Sequence, residues 1–307
     1  MVSVGPTTAL PQPALATTYE GDSPALLERI AQLVDYVEIS PDTIATSDYG
    51  PPRLRPQVLD EYASVVPAVK LVAHGVGLSI GSHDRWNDDY LHLLDQLFER
   101  FSLEWHSEHL ACTTVDGENL GTMLAIPRSE EALDLICERI IRLQTRYRVP
   151  FLIEHVIRIL PEPEEQFTDA AFLNALTTRT GCGLILDAYN LECDRYNFGF
   201  DIAAFLAELD FHPVRELHVA GGVRYKGFQL DVHSRATPDS TLNLALDIMA
   251  SAPNLRLVTY EFLKEAIPSL GHDAICSELV RIREAIQHDQ LGSATTRIIS
   301  SSKTAAC

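Results

Sequence analysis

Eight side chains that could bind metal ions lie near the ends of short apolar runs in this sequence. They are His74, His109, Glu154, Asp187, His218, Asp231, His233 and Glu261. Imidazoles and carboxylates without a thiolate suit iron, manganese or zinc. Because a single zinc site takes three or four ligands, a set of this size predicts a centre of two or three ions.

The spacing of Asp231 and His233 predicts that the two side chains act on the same metal ion. In extended backbone, residues two apart point the same way, so both could bind one ion, and we expect them to be the catalytic pair. Further ligands, or residues that support the ligands, are expected among four other polar residues: Glu38, Glu108, His155 and Asn190. Taken singly, each has an ordinary alternative, because a strand-end histidine commonly makes a structural hydrogen bond and a carboxylate there caps a loop.

Short apolar, β-branched runs must position these residues. They span 14–18, 36–40, 71–75, 105–110, 151–156, 183–188, 216–220 and 255–262. Segments with helical spacing lie between or after them, at 23–34, 90–101, 129–147, 169–179, 202–209, 240–250 and 274–287. This alternation predicts an α/β fold, a single-domain (β/α)8 TIM barrel. An open doubly wound sheet is the competing architecture, although no G-x-G-x-x-G motif follows a predicted strand.

A barrel would bring the candidate ligands together, because the carboxyl ends of its strands converge on one mouth. Without cations, so many carboxylates around one cavity would lose hydration and repel one another. We expect the barrel to occupy residues 14–290. The Pro- and Thr-containing segment 1–13 is expected to be a flexible arm, and the Ser-, Thr- and Ala-rich segment 291–307 a disordered tail.

Acidic residues dominate the charge of the chain. Its 307 residues include 43 acids and 24 bases, which gives a formal net charge of −19. Nucleic acids and anionic membranes require clustered bases, so the sequence argues against both as partners. The 6 cysteines form no C-x-x-C pair and are expected to be reduced thiols in the cytoplasm. No apolar run reaches the roughly 18 residues of a transmembrane helix.

Several short motifs follow one another in an order typical of a known family. They lie at 74–81, 107–110, 153–154, 186–190, 197–201, 216–221, 231–233 and 260–261. In this order the chain resembles the multinuclear non-haem iron-dependent oxidases, which are TIM-barrel enzymes that modify ribosomally made peptides. That family includes the methanobactin-forming and thiaglutamate-pathway enzymes. The resemblance covers roughly residues 14 to 270.

The resemblance implies two or three iron ions in a mixed Fe(II)/Fe(III) state, with O2 as oxidant. It implies a precursor-peptide substrate that is oxidised at a cysteine, and a small partner protein that binds the leader peptide. The eight candidate ligands would bind the iron, and Asn190 would be a further ligand or a supporting group. Two positions depart from the family: His155 replaces the usual Asn, and Gly222 replaces a frequent His.

Two other functions compete with the oxidase. One is a divalent-metal-dependent isomerase or hydrolase on a barrel of the xylose-isomerase type, which would act on sugars or phosphate esters. The other is a catalytically inactive protein that binds peptides. Metal content and O2 consumption distinguish the three.

Overall fold

Parallel strands close into a barrel in the computed structural model, which describes residues 12–46, 51–160 and 166–303, with side chains to residue 288. The eight barrel strands are β1 (Ala14–Thr18), β2 (Tyr36–Ile39), β3 (Lys70–Gly75), β4 (Leu103–His109), β5 (Phe151–Glu154), β6 (Gly183–Asp187), β7 (Val214–Val219) and β8 (Leu257–Tyr260). Each pairs with its sequence neighbours, and β1 pairs with β8 to complete the ring. The predicted (β/α)8 barrel is therefore confirmed.

Helices connect the strands around the outside. They are α1 (Pro24–Ile30), α2 (Pro56–Val65), α3 (Asp88–Arg100), α4 (Glu130–Tyr147), α5 (Asp169–Thr180), α6 (Ala188–Phe198), α7 (Ile202–Glu208), α8 (Asp239–Ser251), α9 (Ile267–Leu270) and α10 (His272–Lys303), with a 3-10 turn at Lys264–Ala266. The helix α10 contains the predicted helix 274–287 and continues through residues expected to form a tail. Most of the predicted arm, residues 1–11, and residues 304–307 lie outside the described residues.

The helical segments predicted from the sequence do not include α2 or α6. In α6, seven consecutive residues from Ala188 to Asp194 are buried whatever their polarity. Such a helix has no polar face, so its sequence lacks the apolar stripe that identifies a surface helix.

Alternation along the strands gives the barrel interior two layers. An apolar layer forms its floor, from Ala16, Tyr36, Val72, Trp105, Leu152, Ile185 and Leu257. Two residues further along the same strands lie buried polar side chains, Thr18, Glu38, His74, Ser107, Glu154, Asp187 and Thr259. Because residues two apart share a face, seven strands contribute to both layers, whereas β7 places Glu216 level with the floor residues Ile185 and Leu257. The polar layer lies towards the carboxyl ends of the strands.

The other faces of the strands pack against the helices in a large apolar core. This core includes Leu184, Leu186 and Leu217 from the strands and Phe172 and Leu176 from α5. Three antiparallel hairpins follow barrel strands, at Ala45–Thr46 with Arg53–Leu54, Ala111–Val115 with Glu118–Ala125, and Val223–Tyr225 with Phe228–Leu230. Within the described ranges, no helix is long and apolar enough to cross a membrane.

Adjacent isoleucines of α4 provide a matched test of this packing. Ile140 is fully buried, whereas Ile141 is 48% exposed. Ile140→Ala should lower the free energy of unfolding by about 2–5 kcal/mol, because it leaves a cavity in the core. Ile141→Ala should change it by less than about 0.5 kcal/mol. Urea unfolding followed by circular dichroism measures both, and equal losses would contradict the orientation of α4.

Candidate metal centre

Strands β3, β4 and β5 bring the first group of candidate ligands together. The Nε2 atom of His74 lies 3.0 Å from Oε2 of Glu154 and 3.4 Å from Nε2 of His109. His109 Nε2 lies 3.6 Å from the same carboxylate oxygen. Both outer ring nitrogens are already engaged, His74 Nδ1 with Ser107 Oγ at 2.9 Å and His109 Nδ1 with the Gly75 carbonyl at 2.8 Å. The imidazoles are thus oriented with Nε2 towards Glu154.

His218 on β7 joins this group to Glu261, which follows β8. Its Nδ1 atom lies 3.2 Å from Oε2 of Glu261 and 3.5 Å from Oε2 of Glu154. His218 is fully buried and Glu261 nearly so. The two carboxylates therefore approach one imidazole edge from different strands, which is an arrangement that a shared cation would neutralise.

Asp187, Asp231 and His233 form the outermost group. His233 Nε2 lies 2.8 Å from Oδ1 of Asp231 and 3.7 Å from Oε2 of Glu261. The pair is the most accessible part of the cluster, with side chains 18% and 12% exposed. The backbone of His233 has φ of 42°, a left-handed conformation that costs about 1–3 kcal/mol in a residue with a side chain and is typical of functional sites.

The groups overlap through shared residues. Glu154 and Asp187 together with His218 form a further group, and so do His74, His218 and Glu261. In every group the potential ligand atoms lie within 4.8 Å of one another. All eight predicted ligands therefore belong to one continuous cluster, which we call the mouth cluster.

Several buried atoms of the mouth cluster make no hydrogen bond of normal geometry to a described residue, although they lie against one another in the contacts given above. They are Glu154 Oε2, Asp187 Oδ2, His218 Nδ1, Asp231 Oδ1 and His233 Nε2. A buried polar atom without a partner costs about 1–3 kcal/mol, and a buried charge costs more. Each of these atoms belongs to a residue of at least one ligand group. Two or more cations could bind them, so the set of donor atoms fits a multinuclear site.

The pKa shifts within the mouth cluster also indicate too little positive charge to balance its carboxylates. Burial raises the pKa of Glu154 well above its usual range, and burial with the neighbouring carboxylates raises the pKa of Asp187 to about 8. Burial lowers the pKa of His74, with His109 adding to the effect. For His218 burial opposes protonation, but Glu261 and Glu154 outweigh it and raise the pKa. Without cations, the carboxylates must therefore share protons with the imidazoles.

Asp187 occupies two environments at once because it ends β6 and caps α6. Its Oδ1 atom accepts hydrogen bonds from the backbone N–H groups of Tyr189, at 2.5 Å, and Asn190, at 2.9 Å. The positive end of the helix therefore stabilises one oxygen, while Oδ2 remains directed to the cluster. Asn190 Nδ2 in turn donates to Glu154 Oε1 at 3.3 Å, which places this predicted residue against the cluster.

A second layer of carboxylates supports His218 from below. The Nε2 atom of His218 lies 3.4 Å from Oε1 of Glu216 and 3.6 Å from Oε2 of the predicted residue Glu38. Glu216 is held by Trp105 Nε1 at 2.9 Å and by Thr259 Oγ1 at 2.5 Å. Sequence reasoning missed Glu216, although its spacing of two from His218 on one strand was the signal that could have found it.

Two predicted supporting residues do not join the mouth cluster. Glu108 and His155 each neighbour a predicted ligand in the chain, so strand alternation turns them to the outside of the barrel. The Glu108 carboxylate lies 2.7 Å from Nε2 of His106. His155 is buried against Phe205, with ring centroids 6.3 Å apart, and burial lowers its pKa to about 4.

Gly222 is a position where the chain leaves no room for the imidazole that the family often carries. A Cβ atom there would lie 1.9 Å from the Leu230 carbonyl oxygen and 2.9 Å from the Tyr189 hydroxyl. A side chain at this position would require the following hairpin to move. His155, on the outside of the barrel, does not substitute for it.

The sequence profile of RiPP precursor modification enzymes MbnB/TglH/ChrH matches residues 22–287. The chain belongs to this family. Its relatives include a UPF0276 protein of Caulobacter vibrioides, 31% identical over 216 residues that cover 70% of this chain and 75% of that protein. Another is a UPF0276 protein of Bordetella pertussis, 38% identical over 163 residues that cover 53% of this chain and 55% of that protein.

Solved structures share the barrel at low sequence identity. D-psicose 3-epimerase of Clostridium cellulolyticum H10 is 12% identical with a TM-score of 0.58, covering 90% of this chain and 99% of that one. The IOLI protein with a binding zinc atom is 14% identical with a TM-score of 0.57, covering 89% and 97%. These likenesses support the architecture and say nothing about the reaction.

Neighbouring residues on β5 and just beyond it test the mouth cluster directly. Glu154→Gln should reduce bound metal by at least one ion per chain, because it removes a carboxylate shared by two ligand groups. His155→Asn should leave the metal content unchanged, because that side chain lies outside the barrel. Elemental analysis after anaerobic reconstitution measures both. Equal metal content in the two variants would rule out Glu154 as a shared ligand.

The support beneath His218 is tested by Glu216→Gln. Losing the carboxylate should weaken metal binding by about 10–100-fold, because the Nε2 edge of His218 loses the negative charge that faces it at 3.4 Å. Competition with a chelator measures the affinity. Glu104→Gln is the control, since Glu104 lies on β4 in a partly exposed pair with Lys70. An unchanged affinity in Glu216→Gln would show that Glu216 does not position the imidazole.

Proposed function

We propose that this protein is an iron- and O2-dependent oxidase that modifies a ribosomally made precursor peptide, at a cysteine. The family supports modification of a precursor peptide. The observation that carries the proposal of a multinuclear oxidase is the mouth cluster, in which Glu154 and Asp187 each belong to two ligand groups. Shared carboxylates are suited to hold neighbouring cations close together.

The donor set supports iron as the resident metal. The mouth cluster offers imidazoles and carboxylates but no thiolate, a combination that suits non-haem iron and also manganese or zinc. Bound iron would supply the one-electron chemistry that a reaction with O2 requires. We infer two or three ions, in a mixed Fe(II)/Fe(III) state, held by His74, His109, Glu154, Asp187, His218, Asp231, His233 and Glu261.

Within this proposal, the chain itself orients the substrate and controls protons. Asp231 and His233 are the most accessible members of the cluster, so an entering peptide meets them first. Burial opposes protonation of His233, but Asp231 and Glu261 outweigh it and raise its pKa. The pair therefore holds a proton at Nε2 in the absence of cations. Deeper residues are closed to solvent, which keeps bulk water away from the inner ligands.

The proposal includes two partners and a location. One partner is the precursor peptide, and the other is a small protein that binds its leader segment and delivers the core. Five cysteines, Cys112, Cys137, Cys182, Cys193 and Cys276, are free thiols. Free thiols persist in a reducing compartment, which supports the cytoplasm as the site of the reaction.

Oxygen consumption tests the reaction. The protein reconstituted anaerobically with iron should consume O2 when a cysteine-containing precursor peptide is added, and the peptide should change in mass. Zinc-loaded protein should consume none, because zinc has no redox chemistry. His233→Ala should lower the rate at least about 100-fold, because it removes both a proposed iron ligand and a group that holds a proton when no cation is bound. An oxygen electrode and mass spectrometry provide the measurements.

The competing functions give different results in the same experiment. A divalent-metal isomerase or hydrolase would be active with zinc or manganese and would not need O2. A peptide-binding protein without activity would bind less than one ion per chain after reconstitution while remaining folded. Either outcome would overturn the proposed oxidase.

A further inference from the structure

A cavity of about 530 Å³ lies beside the mouth cluster, between α6, the third hairpin and the start of α8. We call this hairpin, residues 223–230, the mouth ribbon. Tyr189 and Gly222 line the buried end of the cavity. Tyr189 lies in the first turn of α6, and the N-cap of that helix is the cluster residue Asp187. The cavity therefore ends close to the proposed metal ions.

An arginine at the open end has unused hydrogen-bonding capacity. The guanidinium of Arg224 stacks on the ring of Tyr196, 4.3 Å from its centroid, and its Nε contacts Gln229 Oε1 at 3.4 Å. Stacking occupies the face of a guanidinium and leaves its edge N–H groups for a carboxylate. Among the side chains that the structure describes, no carboxylate pairs with Arg224 or Lys226. Arg195 differs, because it pairs with Glu192 at 3.0 Å.

Exposed aromatic side chains lie in the cavity and on the mouth ribbon. Tyr196 lines the cavity and is 46% exposed, whereas Tyr225 and Phe228, which pair across the mouth ribbon, are 58% and 49% exposed. Single exposed aromatics are common, but two paired rings on a ribbon beside a cavity form a surface suited to bind an apolar partner. The mouth ribbon carries two bases and no acid, in a chain whose net charge is −19. Its charge therefore differs in sign from that of the whole protein.

We propose that this cavity and the mouth ribbon bind an acidic segment of the precursor peptide. Arg224 pairs with a carboxylate of that segment, and the exposed rings of the mouth ribbon, Tyr225 and Phe228, cover apolar residues that lie outside the cavity. The net charge of the protein repels an acidic peptide, so a local cationic ribbon determines where the peptide binds and directs it to the mouth. That the bound peptide is the substrate rests on the proposed function. That it is acidic is inferred from the residues of the cavity and the mouth ribbon.

Fluorescence anisotropy with two labelled synthetic peptides tests the binding. One contains several Glu and Leu residues, with Ser in place of cysteine, and the other replaces each Glu with Gln. The protein is used as isolated, under argon, so neither oxidation nor a thiolate contributes. The Glu peptide should bind about tenfold more tightly at roughly 50 mM salt, and the difference should shrink at roughly 500 mM.

Three variants locate the effect. Arg224→Gln should remove most of the preference for Glu, while Phe228→Ser should weaken both peptides equally. Arg148→Gln is the control, since Arg148 is an exposed base after α4, at the opposite end of the barrel. Equal binding of the two peptides, or an equal loss in Arg148→Gln, would overturn the proposal. Because no O2 is consumed, the result is independent of the oxidase test.

Discussion

Attraction between cations and buried carboxylates is the interaction on which the mouth of this barrel depends. Glu154, Asp187 and Glu261 lie almost out of contact with water, within a few ångströms of one another's imidazole partners. Leaving these charges uncompensated would cost several kcal/mol for each buried ion. The protein can protonate the carboxylates, pair them with imidazolium or bind metal ions, and metal ions would also bind the buried atoms that make no hydrogen bond among the described residues.

The rest of the fold positions the carboxylates and imidazoles of the mouth cluster. An apolar floor fills the lower barrel and excludes water from beneath the ligands. Glu216, anchored by Trp105 and Thr259, meets the lower nitrogen of His218, so the upper nitrogen faces Glu154 and Glu261. Such support fixes the direction of a ligand lone pair, which is the geometric condition for a metal to bind tightly. The large helix core keeps the strands, and so the ligands, in register.

Helix α6 connects this centre to the surface where a substrate arrives. Its N-cap Asp187 and its residue Asn190 contact the cluster, while Tyr189 and Tyr196 line the neighbouring cavity. The same barrel serves epimerases at 12% identity, so the architecture does not determine the reaction. The candidate ligands at the strand ends and the mouth ribbon beside them are the parts of this barrel that carry chemistry. Specificity for a peptide would therefore come from the loops, as in other barrels of this kind.

Short-range periodicity in the sequence was enough to predict the barrel and to place the candidate ligands at its mouth. Alternating apolar runs predicted the strands, and polar residues at their ends predicted the mouth cluster. Strand alternation by itself places Glu154 and His155 on opposite faces and Glu216 on the face of His218, but only the folded chain shows that Glu216 lies against His218 and His155 against Phe205. The sequence also did not predict the buried helix α6 or the clash that a side chain at Gly222 would cause. These features depend on contacts between segments distant in the chain, which local pattern does not encode.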